Sequence, residues 1–218
     1  MLSLPPSTEV KRSLPKAQLY KRFDWKPSQR DSFDGDVSRL DFVNWIAPRT
    51  LPAIAEGIEI KEIFVVEMVL KTRDFDIKNI TLLAKSIPQR IVYLLRYEDE
   101  YRIAVYFTRL FITSWQNLGD DDMQHAEGMS LQLNGLNLDA VWENIVRQIM
   151  GTSLCDVSST DASDMKQAEG ISLQDQIIAN DERAKIERQI ASMEHKMYAA
   201  KQPRRKREIF IELQKLKH

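Results

Sequence analysis

Apolar positions in the central part of the chain follow the spacings of alternating strands and helices. Residues 59–71 form a nearly continuous apolar run rich in β-branched side chains, which predicts a central strand. Residues 76–87 carry apolar side chains at helical spacing and end before Pro88, so they predict a crossover helix on the same sheet. Three strand-like runs follow and predict a meander: 90–96, 101–109 and 110–116.

Helical patterns precede this central region. Residues 7–12 can form a capped turn, and Pro15 can open a further helical turn over residues 16–23. Apolar residues within 38–46 recur at helical intervals, and the pattern stops before Pro48. This spacing predicts a helix of two to three turns.

The region after the meander combines a loop, a short strand and a helix. Residues 119–128 are polar and acidic and predict an exposed loop, and residues 130–133 predict a short strand. Residues 138–150 carry a single apolar stripe, which predicts an amphipathic helix. These elements together predict an α+β fold over residues 1–150, in which helices pack on a mixed sheet of four to five strands.

The last third of the chain has a different pattern. Residues 151–170 are rich in small polar and acidic residues and predict a flexible acidic linker. Within residues 171–218, apolar residues recur in alternating steps of three and four, which is typical of a coiled-coil seam. The seam consists of Ile186, Ile190, Met193, Met197, Ile209, Leu213 and Leu216.

Pro203 interrupts this seam. A proline removes a backbone donor and clashes with the preceding turn, so it fits the start of a new helix better than the middle of one. We therefore expect an antiparallel helical hairpin, a coiled-coil arm, over residues 171–218. The alternative is one long kinked helix that pairs with another chain, which would make the protein a homodimer.

The composition is that of a globular domain with an appendage. The chain has 218 residues, of which 43% are hydrophobic and 29% charged, enough for one substantial core. The single cysteine, Cys155, cannot close a disulfide within the chain, and no histidine or cysteine pair stands at metal-ligand spacing. No apolar stretch reaches the roughly 18 residues of a membrane helix. We expect a cytoplasmic protein without membrane contact, metal or cofactor.

Charge is distributed unevenly along the chain. The net charge is +5 over residues 1–30 and −2 over 31–118, then −11 over 119–182 and +7 over 183–218. Five cations cluster at the predicted turn of the hairpin, where they could contact phosphates: Lys201, Arg204, Arg205, Lys206 and Arg207. An equally good interpretation is that these cations keep the arm soluble and complement the acidic linker.

Five stretches carry a resemblance to a known family: Leu4 to Val10, Leu14 to Lys16, Ala47 to Leu51, Ile87-Pro88 and Gly135 to Ile149. With the basic heptad tail, they resemble an uncharacterised bacterial and archaeal family, domain-of-unknown-function family 4391. The resemblance spans nearly the whole chain, and the last stretch is its most specific part. It implies no assigned activity. It does imply a genomic setting, because genes of this family often look like accessory genes beside helicases and DNA methyltransferases of restriction and phage-defence clusters.

That setting makes a nuclease the enzyme hypothesis to test. Restriction-type nucleases need carboxylates that converge on Mg²⁺ with a lysine close by, and Asp41, Glu67 and Lys71 could take these roles. The usual spacing would place the lysine at Val69, however. The restriction core also runs helix, three strands, helix, strand, whereas this sequence predicts strand, helix and then three strands. The alternative interpretation makes Glu67 and Lys71 solvated charges at a strand end.

The tryptophans offer a second route to nucleic-acid contact, because bases stack on exposed aromatic rings. Helical register predicts that Trp45 and Trp142 belong to the core, whereas Trp25 and Trp115 stay open to either role. With no complete catalytic constellation, the sequence favours a non-catalytic accessory module of a defence or restriction-type assembly. The module would bind a partner protein, such as a helicase or methyltransferase subunit, nucleic acid, or both through the basic arm.

Overall fold

The computed structural model describes residues 2–117, 131–153, 173–199 and 206. By its internal contacts the chain divides into two compact units, residues 1–160 and residues 161–218. The boundary falls within the segment 151–170 whose composition predicts a linker. Residues 151–153 of that segment continue a helix, and the rest of it lies outside the described residues.

A mixed sheet of seven strands is the centre of the described part of the first unit. The strands are β1 Glu9–Ser13, β2 Val37–Ile46, β3 Ile63–Leu70, β4 Arg90–Tyr97, β5 Glu100–Tyr106, β6 Leu110–Ile112 and β7 Gln116–Asn117. Their spatial order is β1-β2-β3-β4-β5-β6, and β7 also pairs with β5. Strands β3 and β4 are parallel, while the other neighbours are antiparallel. The α+β class and the mixed sheet are confirmed, with more strands than the four to five predicted.

Five α-helices accompany the sheet in the described residues. They are α1 Lys16–Arg22, α2 Pro27–Asp36, α3 Ile77–Ser86, α4 Leu138–Ser153 and, in the second unit, α5 Leu173–Ala199. A 3-10 turn at Pro6–Thr8 precedes β1. Helices α1, α2 and α3 bury apolar side chains against one face of the sheet, in a cluster that includes Leu19, Phe33, Leu40, Met68, Ile80, Leu83, Tyr93 and Leu95.

Helix α4 packs on β5 and β6, on the opposite face. Successive strand residues point to opposite faces, so Arg90 points away from Ile91 and Tyr93, which lie in the cluster of α1 to α3. The Arg90 guanidinium stacks over the Trp142 ring of α4, 5.9 Å from its centroid. The sheet is therefore covered by helices on both faces.

Helix α3 is the crossover that the sequence predicts. Its N-cap residue Asp76 accepts a hydrogen bond from the Lys78 backbone N–H at 2.9 Å, which satisfies one of the free donors of the first turn. The helix ends just before Pro88. Because parallel neighbours cannot be joined by a tight turn, this helix is what allows β3 and β4 to pair in parallel.

The predicted helix over 38–46 is wrong, since these residues form most of β2. The pairing of β2 shifts register in two places, between Val37 and Arg39 and between Phe42 and Asn44. Each irregularity interrupts the period of two, so the buried positions fall at Val37, Leu40, Asn44 and Ile46. The first two steps, of three and four residues, resemble helical spacing, although the backbone is extended.

Three further segments differ from the sequence predictions. Residues 9–13 form edge strand β1 rather than part of a capped turn, because they pair with β2. Residues 27–36 form α2, which the sequence analysis did not predict. Residues 131–133 are not a strand, and Ser130 lies outside the described residues.

The Asp139 carboxylate fixes the start of α4 to the loop between β2 and β3, together with backbone hydrogen bonds between Ala55 and residues 136 and 138. Asp139 accepts hydrogen bonds from the backbone N–H groups of Ile58 at 2.5 Å and Ile60 at 2.8 Å. A side chain at Gly57 has no room, since its Cβ would lie 2.5 Å from Cγ of Asp139. A Cβ at Gly135 would similarly lie 2.7 Å from the Val141 backbone nitrogen. Both glycines are therefore required for this close approach.

Replacing Asp139 by asparagine should lower stability in a pH-dependent way. Partial burial of the Asp139 carboxyl raises its pKa, but the hydrogen bonds from Ile60, Ile58 and Glu59 lower it further, so the net shift is downward. A carboxyl group whose pKa is lower in the folded protein than in the unfolded chain stabilises the fold fully above the unfolded-state pKa of about 3.9. That stabilisation is lost as the pH falls through the folded-state pKa. We expect Asp139→Asn to cost about 1–2 kcal/mol near neutral pH.

Urea unfolding of both proteins at a series of pH values measures this difference. The gap between wild type and Asp139→Asn should be constant above about pH 5 and should shrink below about pH 4. Asp99→Asn, which changes an exposed carboxylate on the β4–β5 turn, serves as the matched control. A gap that is absent at neutral pH would contradict the role assigned to the Asp139 carboxylate.

Candidate functional site

Asp41 and Glu67, two of the three residues suggested for a nuclease site, lie side by side. They are directly opposite each other in the antiparallel pairing of β2 and β3, so both side chains point to the same face. The Asp41 side chain is 20% exposed and that of Glu67 is 13% exposed. The interpretation of Glu67 as a solvated strand-end charge is therefore wrong, because Glu67 lies within β3 rather than at its end and is largely withdrawn from solvent.

Each carboxylate is paired with an arginine on the same face of the sheet. The Arg39 Nε lies 2.5 Å from Oδ2 of Asp41, and the Arg96 Nε lies 3.1 Å from Oε1 of Glu67. The positive charge that a bound metal would supply next to these carboxylates is thus already supplied by guanidinium groups. This arrangement compensates the two negative charges without a metal.

Sequence reasoning missed both arginines. Arg39 stands two residues before Asp41 on one strand, so period-two alternation could have suggested that pair once 38–46 was recognised as a strand. Arg96 is on β4, and it reaches Glu67 because β4 lies parallel beside β3 in one particular register. No local pattern in the sequence carries that information.

Lys71, the third nuclease candidate, forms its hydrogen bonds with α2 and not with Asp41 or Glu67. It follows the last residue of β3, and its Nζ donates a hydrogen bond to the Asp34 carbonyl oxygen at 2.6 Å. Its backbone N–H bonds to the Asp36 carbonyl at 2.8 Å. Among the described residues, no ion pair or hydrogen bond joins Lys71 to Asp41 or Glu67. Lys71 therefore joins the end of β3 to α2.

The order of elements removes part of one objection to a nuclease. Strands β1, β2 and β3 are antiparallel neighbours, and α3 and the parallel strand β4 follow them. The sequence analysis missed the second of these three strands, but β1 does not directly precede β2 in the chain, so the order of helix, three strands, helix and strand is matched only in part. The mistake arose because 38–46 was predicted as a helix. In this chain α1 and α2 lie between β1 and β2.

The residues described offer no group of three or more histidine, cysteine or acidic side chains that could hold a metal ion. The triplet Asp120 to Asp122, together with His125, lies outside the described part of the chain, as does Cys155. The nuclease hypothesis therefore rests on two acidic residues, Asp41 and Glu67.

Two tryptophans belong to the core. Trp142, 1% exposed, confirms the prediction from helical register, and Trp25 is buried at 4% exposed. The Trp25 indole N–H donates to Oγ of Ser86 at 2.8 Å, and its ring meets Phe33 edge-on at 5.1 Å. Neither ring can serve as a stacking surface for a base.

The other two tryptophans, Trp45 and Trp115, are half-buried, and another side chain lies against the ring of each. Trp45 is on β2 rather than on a core helix, and its ring stacks on Phe64 with centroids 6.3 Å apart. The Arg102 guanidinium lies between Phe75 and Trp115, 4.6 and 4.5 Å from their centroids. Burial between these rings, together with the charge of nearby Arg73, lowers the pKa of Arg102. Arg102 therefore covers one face of Trp115.

The second unit contributes helix α5 to the predicted arm. Its seam residues Ile190, Met193 and Met197 are half-buried, whereas Ile186 is 41% exposed. Lys206 is helical and exposed. The other basic-tip residues and the second half of the seam lie outside the described residues: Lys201, Arg204, Arg205, Arg207, Ile209, Leu213 and Leu216.

Fold and site together define an α+β domain whose mixed sheet carries an arginine-compensated acidic pair. Residues 2–218 match the family described as a domain of unknown function, DUF4391, and the chain belongs to that family. No curated protein matches the chain, and no solved structure matches it. Within the part of the chain that is described, no helix has both the length and the apolar character needed to cross a membrane.

The ion pair between Glu67 and Arg96 should be energetically coupled. We expect a double-mutant cycle with Glu67→Gln and Arg96→Met to give a coupling free energy of about 1–2 kcal/mol, because the pair is largely withdrawn from solvent. Urea unfolding of the wild type, both single variants and the double variant measures it. The matched cycle at Asp41 and Arg39, whose arginine is 59% exposed, should give less than about 1 kcal/mol. Equal coupling in the two cycles would contradict this difference.

Proposed function

We propose that this protein is a non-catalytic accessory module that binds a partner protein, nucleic acid, or both through a basic C-terminal arm. The observation that carries the non-catalytic part is the pairing of Asp41 with Arg39 and of Glu67 with Arg96. Magnesium-dependent phosphoryl transfer needs carboxylates that are free to bind the ion. Here the carboxylates that would do so are already paired with arginines.

The arm is proposed to be an antiparallel helical hairpin built on α5. Support comes from the length of α5, 27 residues, from the half-buried seam residues on it, and from Pro203 after it. The turn of such a hairpin would present the five cations of the basic tip together. Residues 183–218 carry a net charge of +7, which favours polyanionic partners such as nucleic acid. Pairing of the same seam between two chains, in a homodimer, is the alternative arrangement.

The kind of partner that we propose is taken from the family resemblance. Accessory proteins beside helicases and methyltransferases of restriction and defence clusters would act in the cytoplasm, where those enzymes meet DNA. A protein that brings such an enzyme to nucleic acid needs a binding surface and no active site. The compensated acidic pair and the basic arm both fit that requirement.

A magnesium-dependent nuclease is the second candidate. The specific observation in its favour is that Asp41 and Glu67 lie opposite each other on β2 and β3, followed by α3 and parallel β4. Displacement of Arg39 and Arg96 by incoming metal would free both carboxylates. Val69 at the position expected for the lysine argues against it.

Neutralising the basic tip should weaken nucleic-acid binding and its dependence on salt. In the full chain, five substitutions to glutamine remove the tip charges at Lys201, Arg204, Arg205, Lys206 and Arg207. If all five cations contact phosphates, the slope of log K against log salt for duplex DNA should fall in magnitude by about 4. Fluorescence anisotropy with labelled DNA and RNA at several salt concentrations measures both effects.

The matched control removes five charges from the other basic end of the chain, by glutamine at Lys11, Arg12, Lys21, Arg22 and Lys26. This variant has the same net charge as the tip variant, so a general electrostatic effect would weaken binding equally in both. A loss confined to the tip variant supports the arm as the contact surface. Equal slopes for wild type and tip variant would remove nucleic acid from the proposed function.

The nuclease candidate predicts cleavage that depends on Glu67. Single- and double-stranded DNA incubated with purified protein and Mg²⁺ or Mn²⁺ should be cut by the wild type and by Asp99→Ala, and about 100-fold or more slowly by Glu67→Ala. The non-catalytic proposal predicts no cleavage by any of the three. Cleavage by the wild type that Glu67→Ala abolishes would overturn the non-catalytic assignment.

A further inference from the structure

Two arginines of the first unit lie against one tryptophan ring, on the face of the sheet that α1 to α3 cover. Arg102 of β5 is directly opposite Leu95 of β4, and Leu95 belongs to the apolar cluster on that face, so both side chains point to the same side. The Arg102 guanidinium lies 4.5 Å from the centroid of Trp115. The Arg73 guanidinium lies 5.9 Å from the same centroid. Two positive charges are therefore close together beside Trp115.

The orientation of the Arg102 side chain is fixed by aromatic rings. Its guanidinium lies between Trp115 and Phe75, the residue before the N-cap of α3, and is 4.6 Å from the Phe75 centroid. Rings against a planar guanidinium leave its edge as the part that can donate hydrogen bonds. The Nε atom of Arg102 is buried without a partner, whereas its Nη atoms are not among the buried unpartnered atoms. The outer edge of the fork therefore reaches solvent.

No carboxylate compensates the charge of Arg102. Among the described residues Arg102 forms no ion pair, in contrast to Arg39 and Arg96. Burial and repulsion by Arg73 lower the pKa of Arg102, and the attraction of Asp74 is the weakest of the three effects. A partly buried cation without a counter-charge is costly, so an anion that reaches the exposed edge of Arg102 would be stabilising.

Arg73 has donors left for the same anion. Its Nε and Nη2 donate to the two carboxylate oxygens of Glu100 at 2.7 and 2.9 Å. Its Nη1 donates to no described residue. The Arg73 side chain is 54% exposed, so this nitrogen can turn toward a ligand without breaking the contact with Glu100.

The two arginines together fit a tetrahedral anion better than a planar one. A carboxylate presents two oxygens in one plane and matches a single guanidinium fork, as Glu100 does with Arg73. A phosphate group presents oxygens in several directions, so it can accept hydrogen bonds from two guanidinium groups that approach from different sides. Arginine is also the side chain best suited to phosphate recognition.

We propose that Arg102 and Arg73 bind a phosphate group. The outer edge of Arg102 is the main donor, Nη1 of Arg73 is the second, and the rings of Phe75 and Trp115 hold Arg102 in position. The phosphate is either a free phosphate or a phosphate of a nucleic-acid backbone. The site lies in the first unit and uses no residue of the basic tip, so it goes beyond the proposed function.

Titration of the full chain with inorganic phosphate, followed by tryptophan fluorescence, tests the site, because an anion on Arg102 lies next to Trp115. We expect a saturable change that sodium chloride of equal ionic strength does not produce and that Trp115→Phe removes. Arg102→Met should weaken phosphate binding by about tenfold or more, and Arg73→Met by roughly 3- to 10-fold. The matched control is Arg49→Gln, since exposed Arg49 lies 6.0 Å from the ring of another tryptophan, Trp45. This variant should bind phosphate like the wild type.

Duplex DNA is the second probe and separates the two sources of phosphate. If the site contacts the nucleic-acid backbone, Arg102→Met should lower the magnitude of the slope of log K against log salt by about 1. That loss without a response to inorganic phosphate identifies the backbone, whereas a response that Arg102→Met abolishes identifies a free phosphate. The tip variant should bind inorganic phosphate like the wild type, so this site and the arm can fail independently.

Two results would overturn the site. The first is the absence of a saturable response to inorganic phosphate together with an unchanged DNA slope in Arg102→Met. The second is a wild-type response to both probes in Arg73→Met, which remains informative even if Arg102→Met fails to fold. Glu100→Gln removes the carboxylate that competes for Arg73, so it should tighten phosphate binding, an effect that a purely structural role for the arginines would not produce.

Discussion

The parallel pairing of β3 with β4 is the constraint on which the rest of the first unit depends. Parallel neighbours need a crossover, and α3 supplies it across one face of the sheet. This choice makes β3 an interior strand, and it places β4 so that Arg96 meets Glu67. The contact between Glu67 and Arg96 is therefore a consequence of a single strand pairing.

On the opposite face of the sheet, the position of α4 depends in part on the hydrogen bonds of one side chain. The Asp139 carboxylate is held by backbone N–H groups of the β2–β3 loop, and two glycines permit the close approach. This geometry gives a physical reason for the most specific part of the family resemblance, Gly135 to Ile149. That stretch contains the glycine, the carboxylate and the apolar stripe that seats α4. In this chain, that stretch fastens α4 to the loop between β2 and β3.

The two acidic side chains on β2 and β3 are placed as in a metal site but form ion pairs instead. Asp41 and Glu67 stand together as a metal site would need, yet arginines neutralise both. Partly buried carboxylates without a counter-charge would be costly, so the arginines have a structural reason to be there. The same compensation argues against the acidic pair as a magnesium site.

Elements whose pattern reflects local burial alone could be predicted from the sequence. The apolar run of β3, the stripe of α4 and the amphipathic α3 before Pro88 all appear where their periodicity places them, because each buries a regular set of positions. The segment 38–46 was wrongly predicted as a helix because two register shifts of β2 change which of its residues face the core. Those shifts are set by the partner strands and cannot be read from the segment itself.

The sequence by itself determined the α+β class, the crossover helix and the concentration of positive charge at the C-terminal end, since composition and periodicity carry these directly. Tertiary structure alone decided that Glu67 meets Arg96, that Lys71 joins α2, and that Asp139 of α4 meets the loop between β2 and β3. The physical reason is that each of these contacts joins residues on different elements. Strand register and helix placement create such contacts, and only the packing of the whole domain sets those two quantities.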